Sequence, residues 1–272
     1  MKDTNKENIY PNIGQSWGIL GILVFAGLLF SPLIKLINKT PGSEFSTLIY
    51  YLIAMGSTLG IVHIIKRKRT GNNTYDFMLS SLKIMTLVCF ATIAIQTGII
   101  TPIISTIPMP DFMKVIFTWL GVQNRLSSFL LLVIAAPILE ELIFRGIILD
   151  GLLKNYSPLK SIIISSLLFG ISHLNPWQFI STFVLGVFSG WVYFKTKKLT
   201  LSILIHLTNN LLLFIGIYFT DNKNILNHTL IESYGGLLNL IIITTVAIIV
   251  ALGCIHILRI EFNKNANKMV IT

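Results

Sequence analysis

Read for its hydrophobic and polar positions, the chain is a series of long apolar runs separated by short polar joints. Eight runs approach the roughly 20 residues a helix needs to cross a bilayer. They cover residues 17–37, 45–65, 77–100, 127–153, 161–174, 176–194, 199–218 and 235–260. The fifth run is short and ends at Asn175-Pro176; the fourth is longer than a bilayer requires. Residues 111–120, DFMKVIFTWL, read as a half-length amphipathic piece lying at the interface. The pattern predicts an all-α fold, a polytopic transmembrane helix bundle of about eight spans. It divides the chain into an N-terminal tail, three spans and the interfacial piece (1–126), a core of four helices (127–218), and an outer loop, last span and tail (219–272).

Composition agrees with this pattern. The 272 residues are 53% hydrophobic and 12% charged, whereas a soluble domain is about a quarter charged. The run from Trp17 to Ile37 is long for a secretory signal and no small-residue cleavage pattern follows it, so it reads as a retained first helix. Cys89 and Cys254 each stand alone in an apolar run, which excludes a disulfide framework and a cysteine-based metal site.

The formal net charge of +10 places basic residues at the ends of the apolar runs. That is the distribution of topology signals and lipid-headgroup contacts, so the expected partner is the bilayer and no nucleic acid is implied. With both termini cytoplasmic, fifteen Lys and Arg fall inside and five (Lys35, Lys39, Lys114, Arg125 and Lys223) outside. Lys83 remains within a span near its cytoplasmic end, from which it can snorkel. An even number of spans with both ends inside fits the asymmetry. The pairs Gly56/Gly60 and Gly186/Gly190 are spaced for close helix approach within the bundle.

The fourth run, AAPILEELIFRGIILDGLL, places Glu140 and Glu141 in the membrane. Each carboxylate costs about 2.5–3.5 kcal/mol at the centre of a bilayer, so the pair must face a polar interior and have partners. Glu141 and Arg145 are four apart and can pair on one helix face, while Glu140, about 100° away, faces something else. Different environments for adjacent acids allow one to accept a proton while the other stays structural. Pro137 is expected to leave the Val133 carbonyl without its helical donor. A purely structural ion-paired cluster would show the same acids.

Two further runs carry polar residues four apart, Phe169 with His173 and His206 with Asn210. Counted from the ends of their spans, Glu140, His173 and His206 all fall in the inner to central membrane, where they can line one cavity open to the cytoplasm. A lone membrane histidine is usually a helix–helix hydrogen-bonder; two of them with an asparagine and an acid pair form a constellation.

These three motifs, Glu140-Glu141-x-x-Phe144-Arg145, Phe169-x-x-x-His173 and His206-x-x-x-Asn210, resemble the signature of the CPBP family, in order and complete across residues 127–218. That family comprises the type II CAAX prenyl endopeptidases and bacterial homologues, some of them bacteriocin-immunity proteins. The resemblance implies a helical bundle around a conical cavity and intramembrane hydrolysis of a peptide bond. It makes Glu140 the general base that activates water, with His173 beside it. His206 and Asn210 would polarise the scissile carbonyl and stabilise its oxyanion. Glu141, Arg145 and Phe169 become supporting residues. The family is often called metalloprotease, and Glu140, His173 and His206 could supply three ligands of a catalytic zinc or similar divalent metal. The chain has no H-E-x-x-H helix, and the same residues also suffice for water activation without metal, so both forms stay open.

The expected substrate is a membrane-associated peptide or protein, in peptide maturation or bacteriocin self-immunity. The compact, Ile-, Lys- and Asn-rich chain points to a bacterial plasma membrane. Two other classes compete: a non-catalytic membrane scaffold or immunity protein that keeps the motif for packing, and a proton-coupled transporter using the acid–histidine pair. Against the transporter stands the absence of an inverted repeat.

Overall fold

The computed structural model describes residues 9–39, 43–71, 74–107, 124–219 and 230–271. Among them every regular element is helical. Seven helices are long and apolar enough to cross a membrane: α1 (Ile13–Ile37), α2 (Ser43–Thr70), α3 (Leu82–Ser105), α4 (Arg125–Asn155), α6 (Pro176–Thr196), α7 (Leu199–Tyr218) and α8 (Leu237–Lys264). Between α4 and α6 lies α5 (Pro158–Ser172), apolar but only 15 residues long. At 1.5 Å per residue it reaches about 22 Å, short of the roughly 30 Å hydrocarbon core. Of the eight expected spans, seven therefore have spanning length and the fifth does not. The chain is an integral membrane protein, a polytopic helical bundle. The interfacial piece expected at 111–120 lies outside the described residues.

Local chemistry sets the ends of the helices near the site. Asn124 caps α4, its side chain accepting from the backbone N–H of Leu126 and Ser127. Pro158 opens α5 at a position where its missing N–H costs nothing. The joint between α5 and α6 is three residues, His173 to Asn175. Leu174 takes a left-handed backbone (φ 55°), and Asn175 caps α6 ahead of Pro176. So tight a joint forces α5 and α6 into a hairpin. Its interface needs Gly186 and Gly190: a Cβ on Gly186 would meet Ser166 at 3.0 Å and one on Gly190 would meet Ile162 at 3.1 Å. Gly56 and Gly60 do not repeat this, since nothing among the described residues lies within 4 Å of a Cβ at either. That pair faces outward from α2.

Two apolar clusters hold the bundle. One gathers side chains of α3, α6, α7 and α8, among them Val88, Val192, Ile205 and Leu258. The other gathers α1, α2, α4 and α5 through Ile19, Val62, Ile147 and Leu168. Phe25 and Leu28 on α1 and Ile249 and Leu252 on α8 are exposed, as expected of helices bordered by lipid. At the other end of α4, a Cβ on Gly151 would lie 2.2 Å from Pro11 Cδ. Only glycine lets the segment before α1 cross the site helix there. Lys83, at the start of α3 and largely exposed, meets Glu261 at 2.8 Å and ties α3 to α8.

Helix α4 is not a uniform α-helix. Leu130–Ala135 and Phe144–Leu149 are wound as π-helix on either side of the glutamate pair. Such insertions free backbone carbonyls and are frequent at functional sites. Three of these carbonyls are taken by side chains of other helices. Asn210 of α7 donates to Leu132 O at 2.8 Å, Ser165 of α5 to Phe144 O at 3.0 Å, and Lys66 of α2 to Gly146 O at 3.0 Å. The π winding also corrects the expectation for Pro137. The Ala136 N–H bonds Leu131 O, five residues back, so in that register the carbonyl facing the proline is Leu132's, and Asn210 supplies the missing donor.

Candidate active site

The buried pair expected on α4 is present. Arg145 Nη1 stands 2.9 Å from Glu141 Oε1, with both side chains 1% exposed. The contact is ionic and out of line for a directed hydrogen bond to Nη1. The guanidinium also lies over the Phe169 ring, 4.6 Å from its centroid. Glu141 has two more partners. Ser189 Oγ of α6 donates to Oε2 at 3.2 Å, and Nδ1 of His206 on α7 lies 3.2 Å from Oε1. Glu141 is thus the hub joining α4, α6 and α7. Facing a carboxylate oxygen that also meets Arg145, Nδ1 carries the ring proton toward Glu141, and Nε2 is directed the other way.

What Nε2 faces is Glu140. Its Oε2 lies 3.7 Å from His206 Nε2, and the Glu140 side chain is 13% exposed. Oε2 is buried and has no hydrogen-bond partner among the described residues. Oε1, by contrast, accepts from the phenol of Tyr51 on α2 at 2.6 Å. A water at hydrogen-bond distance from both Oε2 and Nε2 fits as the apex of a triangle on that 3.7 Å base. The adjacent acids therefore have the two environments their spacing implies: Glu141 is saturated and Glu140 keeps one oxygen open.

His173 ends α5. Its Nδ1 is 3.0 Å from the Phe169 carbonyl; a carbonyl only accepts, so Nδ1 carries a proton and Nε2 is the ring nitrogen left to face the site. The Phe169 ring packs edge-on against His173 at 5.2 Å and against His206 at 5.5 Å between centroids. Phe169 is therefore the aromatic floor on which both imidazoles and the guanidinium rest. Asn210 uses one amide hydrogen on Leu132 O, and its Oδ1 accepts from Asn209 at 3.2 Å. Its second amide hydrogen donates to no described residue.

Among the described residues no three His, Cys, Asp or Glu side chains gather closely enough to hold a metal ion. Glu140 and His206 approach one another, but His173 meets His206 through the intervening contacts of Phe169. The three do not form a ligand set in this arrangement.

Three contributors were not apparent from the sequence. Tyr51, Ser189 and Lys66 all reach α4 from other helices. The stripe Tyr51, Met55, Thr58, Val62, Lys66 on α2 has helical spacing and carries polar groups at both ends. That pattern is the signal that could have found Tyr51 and Lys66. Ser189 sits beside Gly190 on the tightly packed face of α6. Near the Lys66 end, His63 Nδ1 meets Tyr75 Oη at 2.9 Å. Burial, with the Asp150 charge adding to it, pushes the Tyr75 phenol up to about 12, so the phenol in that contact keeps its proton.

The family model for "Type II CAAX prenyl endopeptidase Rce1-like" matches residues 122–212. Over those residues, a third of its length, the chain is similar to that family. The match contains Glu140, Glu141, Arg145, Phe169, His173, Ser189, His206 and Asn210. Tyr51 and Lys66 lie outside it. YdiL of Bacillus subtilis (strain 168), provisionally named a membrane peptidase, is 35% identical over 77 residues, 28% of this chain and 32% of YdiL. The chain thus spans about a third of the length of that relative. No solved structure matches the chain. At family level these likenesses are to membrane proteases.

Proposed function

We propose that this protein is an intramembrane endopeptidase that hydrolyses a peptide bond of a membrane-associated peptide or protein, with Glu140 activating the attacking water. The observation that carries this reading is the open oxygen of Glu140: Oε2 is buried, unpartnered among the described residues, and 3.7 Å from an imidazole nitrogen whose ring is fixed by a second carboxylate. An orphaned buried carboxylate oxygen is costly unless something polar occupies the space before it.

In the proposed reaction Glu140 takes a proton from water as the oxygen bonds to the scissile carbonyl carbon. The oxyanion that forms is met by the second amide hydrogen of Asn210 and by an Nε2 proton that His206 takes up from solvent before the attack, its Nδ1 proton staying on Glu141. Collapse of the adduct breaks the C–N bond, and Glu140 passes its proton to the departing amine. Glu141 stabilises the His206 imidazolium and is itself balanced by Arg145. His173, with Nε2 facing the site, completes the polar wall on the α5 side. General-base assistance of this kind contributes about 10²- to 10⁴-fold.

The setting we propose is a bacterial plasma membrane with both chain ends cytoplasmic and a role in peptide maturation or self-immunity against a bacteriocin. The test is cleavage of a reporter peptide anchored in proteoliposomes by the purified full chain. Glu140→Gln should reduce turnover at least a hundredfold, and His173→Ala should also impair it. Equal turnover in both variants and the parent would overturn the mechanism and favour a non-catalytic scaffold.

A further inference from the structure

We infer that Tyr51 is a positioning residue for Glu140: its phenol binds one carboxylate oxygen and leaves the other facing His206 as the proton acceptor. The inference rests on the functional reading above and deepens it, because it adds a helix outside the Rce1-like segment to the machinery.

The geometry is specific. At 2.6 Å the Tyr51–Glu140 bond has the length typical of a hydroxyl donating to a charged carboxylate. It is the only hydrogen bond Glu140's side chain makes among the described residues, and it goes to Oε1. The choice of Oε1 determines that Oε2 faces His206 Nε2. Without the phenol the carboxylate could rotate about its last torsion and offer either oxygen to the imidazole.

The position of Tyr51 is itself over-determined. Met55, Thr58 and Val62 follow it down the buried stripe of α2. At the stripe's far end Lys66 is fixed by the Gly146 carbonyl and by the Tyr75 ring, 4.5 Å away. Helix α2 thus meets α4 at a polar contact on each side of the Glu141–Arg145 pair. The adjacent Tyr50 points elsewhere and donates to Gly27 O of α1 at 2.9 Å. It is a natural control: the same side chain on the same helix, also donating one hydrogen bond, with no contact to the site.

The experiment is an infrared pH titration of the purified full chain in nanodiscs, in which the Glu140 carboxylate band is identified by its loss in Glu140→Gln. A donor to the charged form favours that form, so removing it must raise the midpoint. Tyr51→Phe is expected to raise it by about one pH unit or more, and Tyr50→Phe to leave it in place. In the cleavage assay Tyr51→Phe should lower kcat with KM unchanged, and the acid limb of the pH profile should move up by the same interval. An unmoved or lowered midpoint in Tyr51→Phe, or an equal rise in Tyr50→Phe, overturns the inference. A parent chain that cleaves nothing counts against the proposed function instead, and the infrared titration still decides on Tyr51.

Discussion

Asn210 donates its side-chain amide to the carbonyl of Leu132 at 2.8 Å, supplying the hydrogen bond that Pro137 cannot. The asparagine of the third motif thus braces the helix that carries the first. Asn210→Leu should cost about 1–3 kcal/mol by leaving a buried carbonyl unpaired. Adding Pro137→Ala restores a backbone N–H opposite Leu132, so the double variant should recover most of that loss. Thermal unfolding of the four members of the cycle in one detergent checks this; an additive double variant would contradict it.

The Glu141–Arg145 pair gives a second expectation. Both side chains are 1% exposed, so removing one leaves an uncompensated buried charge. Arg145→Met should cost about 3–5 kcal/mol, and the double substitution Glu141→Leu with Arg145→Met much less than the sum of its parts. Stability and activity should separate here. Restored folding in the double variant should not restore cleavage, because His206 has lost the carboxylate that orients it. Glu141→Gln, which keeps the shape, should reduce turnover about 10- to 100-fold, the usual cost of losing such an orienting partner.

Glycine substitutions distinguish the two small-residue pairs. Gly186→Val forces a side chain against Ser166, where even a Cβ meets atoms at 3.0 Å, and should destabilise by about 1–3 kcal/mol. Gly56→Ala meets nothing within 4 Å among the described residues and should be neutral or stabilising by about 0.4–1 kcal/mol. Loss of stability at Gly56 comparable to that at Gly186 would mean that a partner covers α2.

The sequence exposed most of this architecture for a physical reason. Burying an acid in a membrane is so costly that Glu140, Glu141 and Arg145 stand out against an apolar background, and their i,i+4 spacing is enough to identify the pair. The helix order follows equally from hydropathy. Tyr51 and Ser189 were harder to read because a tyrosine or serine in a span costs little; the stripe on α2 marks a buried face, but only the fold places the two hydroxyls on carboxylates 89 and 48 residues away. The two Gly-x-x-x-Gly pairs looked alike because spacing fixes which residues share a helix face and not what that face meets. The π winding was likewise invisible, since nothing in the sequence of 130–135 distinguishes it from ordinary α-helix, and the orphaned carbonyl shifted by one residue from Val133 to Leu132.

The shortness of α5 has a consequence for the surrounding lipid. If Pro158 sits at one interface, the 15 residues of α5 would leave the reversal at His173–Asn175 several ångströms inside a bilayer of ordinary thickness. Exposed peptide groups at that depth must be shielded by protein or wetted, so the membrane should pucker inward over the α5–α6 hairpin and bring headgroups and water toward the histidine. Hydrophobic mismatch then becomes a control on turnover. Shorter acyl chains would meet the hairpin at its natural height, whereas longer ones would have to be compressed before a peptide could reach Glu140.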